Sequence, residues 1–125
     1  MAKSPARYPG LASIDAYGSG GFRFADMSHR GSILCLPSGI YAWEVGEASI
    51  FSPEQFEPVF AERGAVDFLL LGTGRTQVFP RAELRQAFAK AELGLEVMDT
   101  GAACRTYNVL LGEGRRVAAA LIAVE

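Results

Sequence analysis

Two apolar runs flanking a helix-sized amphipathic stretch constrain this chain more than any other feature of it. Residues 66–71 read Val-Asp-Phe-Leu-Leu-Leu, a nearly continuous apolar run of the kind found in strands covered on both faces. Pro80 then opens a helix that carries Leu84, Ala87, Phe88 and Ala91 on one side, with Gly94 beyond its end. Residues 95–98 read as a second buried strand. Strand, helix and strand of these lengths make a βαβ unit, so the two strands are expected to run parallel with a right-handed crossover.

The remainder fits around that unit. Residues 13–17 form a short candidate strand ended by Gly18, Gly20 and Gly21, and Phe22-Arg23-Phe24 alternates as a half-buried strand does. Residues 26–30 read as a turn. An apolar run at 32–36 stops at Pro37, and Ser38-Gly39 turns the chain into a run at 40–45. Tyr41, Trp43 and Val45 share one face of that run by its period of two, and the pair of runs predicts a hairpin. Ser52, Pro53 and Gln55 have capping-box spacing ahead of a helix with Phe56, Val59 and Phe60 as its stripe and Gly64 at its end. Pro58 predicts a bend in it. A third helix over 101–111 packs through Ala103, Tyr107 and Leu110, and residues 116–124 return as a last strand. The expected fold class is α/β: a three-layer domain with a mixed central sheet flanked by helices and an antiparallel N-terminal strand portion. Residues 11–125 form this single domain, and residues 1–10 form a flexible lead-in.

The totals narrow the chemistry. At 125 residues, half of them hydrophobic, the chain buries enough surface to fold without disulfides or metal. A net charge of −2 supplies no basic field for a phosphate backbone, which argues against nucleic acid as a partner. The apolar run at 117–124 is far shorter than the ~20 residues a membrane helix needs. Residues 1–10 lack the apolar core of a signal peptide, so a cytoplasmic location is expected. One histidine, His29, and two distant cysteines, Cys35 and Cys104, do not provide the ligand spacing of a zinc site. Gln77 breaks the dinucleotide pattern that Gly72 and Gly74 begin, and no Gly-x-Ser-x-Gly elbow or phosphate-loop Gly-Lys pair occurs. No cofactor, metal or catalytic set is expected.

An ordered series of motifs points to a family. Ile14 and Tyr17-Gly18 come first, followed by the stretch from Pro37 to Trp43. Gly72-Thr73-Gly74 follows one buried run and Asp99-Thr100 the next. Then come Ala103-Cys104-Arg105-Thr106-Tyr107-Asn108-Val109-Leu110 and Glu113-Gly114-Arg115-Arg116-Val117-Ala118-Ala119-Ala120-Leu121. From about residue 11 to 122 the chain resembles the family of the complex I (NADH dehydrogenase) assembly factor three and the adipogenesis-associated domain protein, which has many uncharacterised bacterial and archaeal members. The resemblance implies a three-layer α/β fold and, for mitochondrial members, a role in assembling a respiratory complex. It implies no catalytic residues.

Parallel strands of one βαβ unit end on the same edge of the sheet, where ligands of open α/β folds collect. Gly72, Thr73, Gly74 and Arg75 should therefore neighbour Asp99 and Thr100, with the N–H groups of the third helix favouring an anion there. The alternative is structural: the glycines make a tight turn and Thr100 caps the helix. A second polar group, Arg105, Asn108, Glu113 and Arg115, either binds a polar ligand or ties the helix end to the sheet. Cys104 lies early in that helix beside Arg105, a setting that can lower a thiol pKa; the other reading is a buried, inert cysteine. Cys35, inside an apolar run, reads as core. Trp43 and Tyr41 are core if their face is covered and interface anchors if it is open. Two functions follow: a non-catalytic interaction or assembly protein with an unidentified protein partner, or a small-molecule or anion-binding enzyme working at the 72–75 and 99–100 edge.

Overall fold

The computed structural model describes residues 6–46 and 51–125. The first five residues of the expected lead-in and residues 47–50 lie outside that description. Within the lead-in, Tyr8 bridges to Ile40, and Ile40 N–H donates to Tyr8 O at 2.9 Å.

The N-terminal portion is a three-stranded antiparallel sheet: β1 (Ala16–Gly18), β2 (Gly21–Phe24) and β3 (Met27–Arg30). The expected turn at 26–30 is thus corrected. The turn is confined to Ala25 and Asp26, both with positive φ (50° and 62°), the geometry that reverses a two-residue hairpin. Met27 and His29 then alternate with the exposed Ser28 and Arg30 along β3. These four residues are too polar to announce a strand, and pairing with β2 makes them one.

The main sheet has the order β5-β4-β8-β6-β7. The hairpin is present as β4 (Ser32–Leu36) and β5 (Gly39–Trp43), antiparallel in register from Ser32↔Trp43 to Leu36↔Gly39. β6 (Phe68–Gly72) lies parallel to both β7 (Gly94–Met98) and β8 (Val117–Leu121), so the expected βαβ unit is present. The helix between β6 and β7 is α2 (Ala82–Lys90), which starts two residues after Pro80. α3 (Thr100–Gly112) connects β7 to β8. The chain steps one way across the sheet through α2 and back the other way through α3. Right-handed crossovers in opposite directions place the two helices on opposite faces.

Side-chain packing confirms those layers. On one face Leu84 and Phe88 of α2 pack with Leu69, Leu71, Tyr41, Trp43, Phe51 and Phe56. On the other, Ala103, Cys104 and Tyr107 of α3 pack with Ile33, Cys35, Leu70, Phe22 and Phe24. The small sheet therefore lies beside α3 in the third layer. Trp43 and Tyr41 are core and do not form an exposed anchor: each is 7% exposed. The Trp43 ring meets Phe56 edge-on at 5.3 Å, and its Nε1–H donates to Gln55 O at 2.9 Å, so the indole is buried with its polar atom satisfied.

Two expectations need refinement. The helix after Ser52 is in three pieces: a 3-10 turn (Pro53–Phe56), α1 (Glu57–Ala61) and a second 3-10 turn (Arg63–Ala65). Pro58 falls in the first turn of α1, where no N–H is required of it. The Gln55 side chain accepts from Ser52 N–H at 2.9 Å, as the capping spacing predicts. β7, expected to be buried, is half-exposed, because it is the outermost strand.

Candidate functional site

The trailing ends of β6 and β7 meet as the topology requires, and the contacts there are dense. Thr100, the first residue of α3, is fully buried. Its Oγ1 donates to Ile122 O at 2.7 Å and accepts from Gly74 N–H at 2.9 Å. Its own N–H donates to Gly74 O at 2.8 Å. One side chain thus joins the loop after β6, the start of α3 and the end of β8. Thr73 does the same for its own loop: Oγ1 donates to Thr76 O at 2.6 Å and accepts from Val78 N–H at 2.9 Å. Both hydroxyls are spent inside the protein.

Glycine makes the closeness feasible. A Cβ on Gly72 would lie 3.0 Å from Thr100 Cα and 3.0 Å from Leu121 Cδ2. A Cβ on Gly101 would collide with the Tyr17 hydroxyl. Tyr17 of β1 therefore lies over the N-terminus of α3, a neighbour that nothing local in the sequence signals.

The helix N-terminus is also occupied from within. Asp99, and not Thr100, is its cap: Oδ1 accepts from Ala102 N–H at 2.9 Å, and Asp99 O accepts from Ala103 N–H. A carboxylate at this position already complements the helix dipole. Around it opens a shallow cleft of about 310 Å³ whose walls include Tyr17, Arg75, Asp99 and Glu125. Arg75 and Asp99 are thus together, as the βαβ geometry predicts. Arg75 is exposed and, among the described residues, has no side-chain hydrogen bond or ion pair.

The second polar group divides. Asn108 clamps the segment before β1, with Nδ2 donating to Ile14 O and Oδ1 accepting from Ile14 N–H, both at 2.8 Å. Arg105, Glu113 and Arg115 are exposed and make no side-chain hydrogen bonds among the described residues. The helix is tied down, by one residue of the four.

Burial pushes the Cys104 thiol up to about 12, against the pull of the Arg105 guanidinium and with the Asp99 carboxylate adding to the rise. A thiol so protonated is a poor nucleophile. Cys35 is raised further, by complete burial first and by Cys104 second. Tyr107 has a buried hydroxyl beside the Cys35 thiol, and desolvation first and Cys35 second raise it as well. Burial lowers the His29 imidazole, with Arg7 adding to the effect and a backbone hydrogen bond to Ser32 opposing it. The charged groups acting on Cys104 are Arg105 and Asp99, not His29. Among the described residues no cluster of three or more His, Cys, Asp or Glu side chains is placed to hold a metal, and no helix is long and apolar enough to cross a membrane.

Known proteins share both sequence and fold. The mouse NADH dehydrogenase [ubiquinone] 1 alpha subcomplex assembly factor 3 is 31% identical over 94% of this chain, which spans 63% of that relative's length. A solved structure described as an outer membrane protein from Bartonella henselae is 50% identical, with a TM-score of 0.91 over 95% of this chain and 100% of that one. A Rhodopseudomonas palustris structure is 45% identical, with a TM-score of 0.83 over 98% of this chain and 90% of that one. A family model described as a protein of unknown function (DUF498/DUF598) matches residues 14–122. The chain belongs to that family, which it shares with the complex I assembly factor three proteins it resembles.

Proposed function

We propose that this chain is a non-catalytic assembly protein that acts in the cytoplasm by binding a protein partner, the partner being a subunit of a respiratory complex. The observation that carries the reading is the likeness, over 94% of the chain, to a relative named as a complex I assembly factor. The chemistry of the site supports it. Thr73 and Thr100 are committed to backbone partners, and the Cys104 thiol is held protonated by burial. What remains exposed is surface, which serves recognition and not bond-making.

The test is deletion of the gene followed by native-gel measurement of assembled complex I in membranes. The reading expects a loss of assembled complex and an accumulated intermediate, restored by the wild-type chain. Unchanged complex I in the deletion strain contradicts it. The rim at Gly72, Thr73, Gly74, Arg75, Asp99 and Thr100 stands as the ligand-binding alternative. It requires that phosphate or a carboxylate metabolite raise the melting temperature in the wild type and not in Arg75→Ala.

A further inference from the structure

The two edges of the main sheet are treated differently. β5 is paired on its outer side by the chain itself, through Tyr8 and Ile40. β7 ends the strand order at the opposite side, and among the described residues no strand pairs with its outer side. Gly94 N–H donates toward Asp67, and Met98 O accepts from Thr73 N–H. Residues 94, 96 and 98 thus point their backbone groups at β6, and Leu95 and Val97 point theirs outward. An unpaired row of this kind is a template for another strand. One outward group, Val97 O, is held by the side chain of the exposed Gln77 at 2.8 Å, a contact that an incoming strand can displace.

Side chains add an apolar floor. Leu95 and Val97 are half-buried against the α2 layer. Beside them runs a groove of about 500 Å³ whose walls include Phe79, Phe88 and Leu93 and also Arg85, whose guanidinium donates to Pro80 O at 3.1 Å. Phe79 is 70% exposed, the most exposed large apolar side chain described. Glu96 alternates with Leu95 and Val97 and is exposed.

Glu96 decides the occupant. A second copy would have to pair about a two-fold axis, hence antiparallel. The register that uses both outward residues puts Leu95 of one copy opposite Val97 of the other. Glu96 then faces Glu96 in the non-hydrogen-bonded pair, where side chains are closest, and like charges there destabilise the pairing. The same position rewards a cation. We propose that β7 is a docking edge for an extended partner segment of pattern apolar–basic–apolar, its apolar residues lying on the Phe79 groove and its lysine or arginine beside Glu96. This proposal rests on the protein-binding reading above and specifies where and what the chain binds.

The probe is the peptide acetyl-Thr-Val-Lys-Val-Thr-amide, compared with its counterpart carrying glutamate for lysine, each titrated into the full chain with amide shifts followed by NMR. The lysine peptide is expected to bind about two- to fivefold tighter, the range of a cross-strand charge pair, and to shift Leu95 and Val97. Glu96→Lys should reverse the preference, and Phe79→Ser should weaken both peptides about tenfold. Equal binding of the two peptides, no binding, or shifts confined to another surface overturns the proposal. A concentration-dependent dimer that Phe79→Ser dissolves also overturns it, by making a second copy the occupant. Full restoration of complex I assembly by Phe79→Ser and Glu96→Lys sinks the edge while sparing the assembly role. Normal complex I in the deletion strain sinks the assembly role while leaving peptide binding to be judged alone.

Discussion

The rim at the ends of β6 and β7 and the outer edge of β7 are a few residues apart in sequence and opposite in character. At the rim, topology favours a ligand, but apart from the exposed Arg75 the protein's own polar groups are already paired there: Thr100 Oγ1 serves Gly74 and Ile122, and Asp99 serves Ala102. Along the edge, topology suggests nothing beyond the end of a sheet, yet the backbone groups of Leu95 and Val97 face outward beside the exposed Phe79. The difference teaches that position in a fold nominates a site, and the availability of unpaired groups decides whether it is one. A buried polar group left unpaired is costly, so a rim built from such groups holds the fold together before it binds anything.

Substitutions can break this comparison. The largest contrast sets Trp43→Ala against Phe79→Ala. Trp43 is buried among Phe51 and Phe56, so its removal should lower unfolding free energy by about 3–5 kcal/mol. Removal of exposed Phe79 should stay within about 0.5 kcal/mol. Urea unfolding of the two variants reads the difference, and similar losses would erase it. Next, Thr100→Val keeps shape and strips two buried partners, Gly74 N–H and Ile122 O, for an expected loss of about 3 kcal/mol. If the hydroxyl were there for a ligand, the apo protein would barely notice the change. Thr73→Val should cost less, about 1–2 kcal/mol, because its partners Thr76 and Val78 lie in a loop nearer solvent.

Two smaller effects concern titration. Native Cys104 should be alkylated far more slowly than an unfolded thiol at neutral pH, with no inflection near pH ~8.5, since burial pushes it to about 12. A native rate profile bending near that pH would reopen the nucleophile reading. For His29, burial holds the folded pKa below the ordinary imidazole value of 6.5. The unfolded chain therefore takes up the proton first, and the contribution of neutral His29 to stability is present above pH 6.5 and fades as pH falls through the folded pKa. His29→Gln should flatten this small part of the acid limb, and an unchanged limb would remove His29 from the account.

Much of the scaffold was legible because its signals are local. Pro37, Ser38 and Gly39 break two apolar runs into a hairpin, and the spacing of Leu84 and Phe88 marks the buried side of α2. β3 escaped because Ser28, His29 and Arg30 lack the apolar weight of a strand and acquire order by pairing with β2. The exposure of β7 escaped for another reason: Leu95 and Val97 look the same whether a strand has one neighbour or two. At the candidate rim, co-location of Arg75 and Asp99 was legible from the parallel unit. Its closure was not, since Thr100 finds its partners 26 and 22 residues away, and Tyr17 arrives over Gly101 from the other sheet.

Amide hydrogen exchange on the wild-type chain tests the contrast most directly. The Gly74 amide, donated to a buried hydroxyl, should exchange only on global unfolding, and the Leu95 and Val97 amides should exchange orders of magnitude faster through the open edge. Rapid exchange at Gly74, or global protection at Leu95 and Val97, would contradict a closed rim beside an open edge.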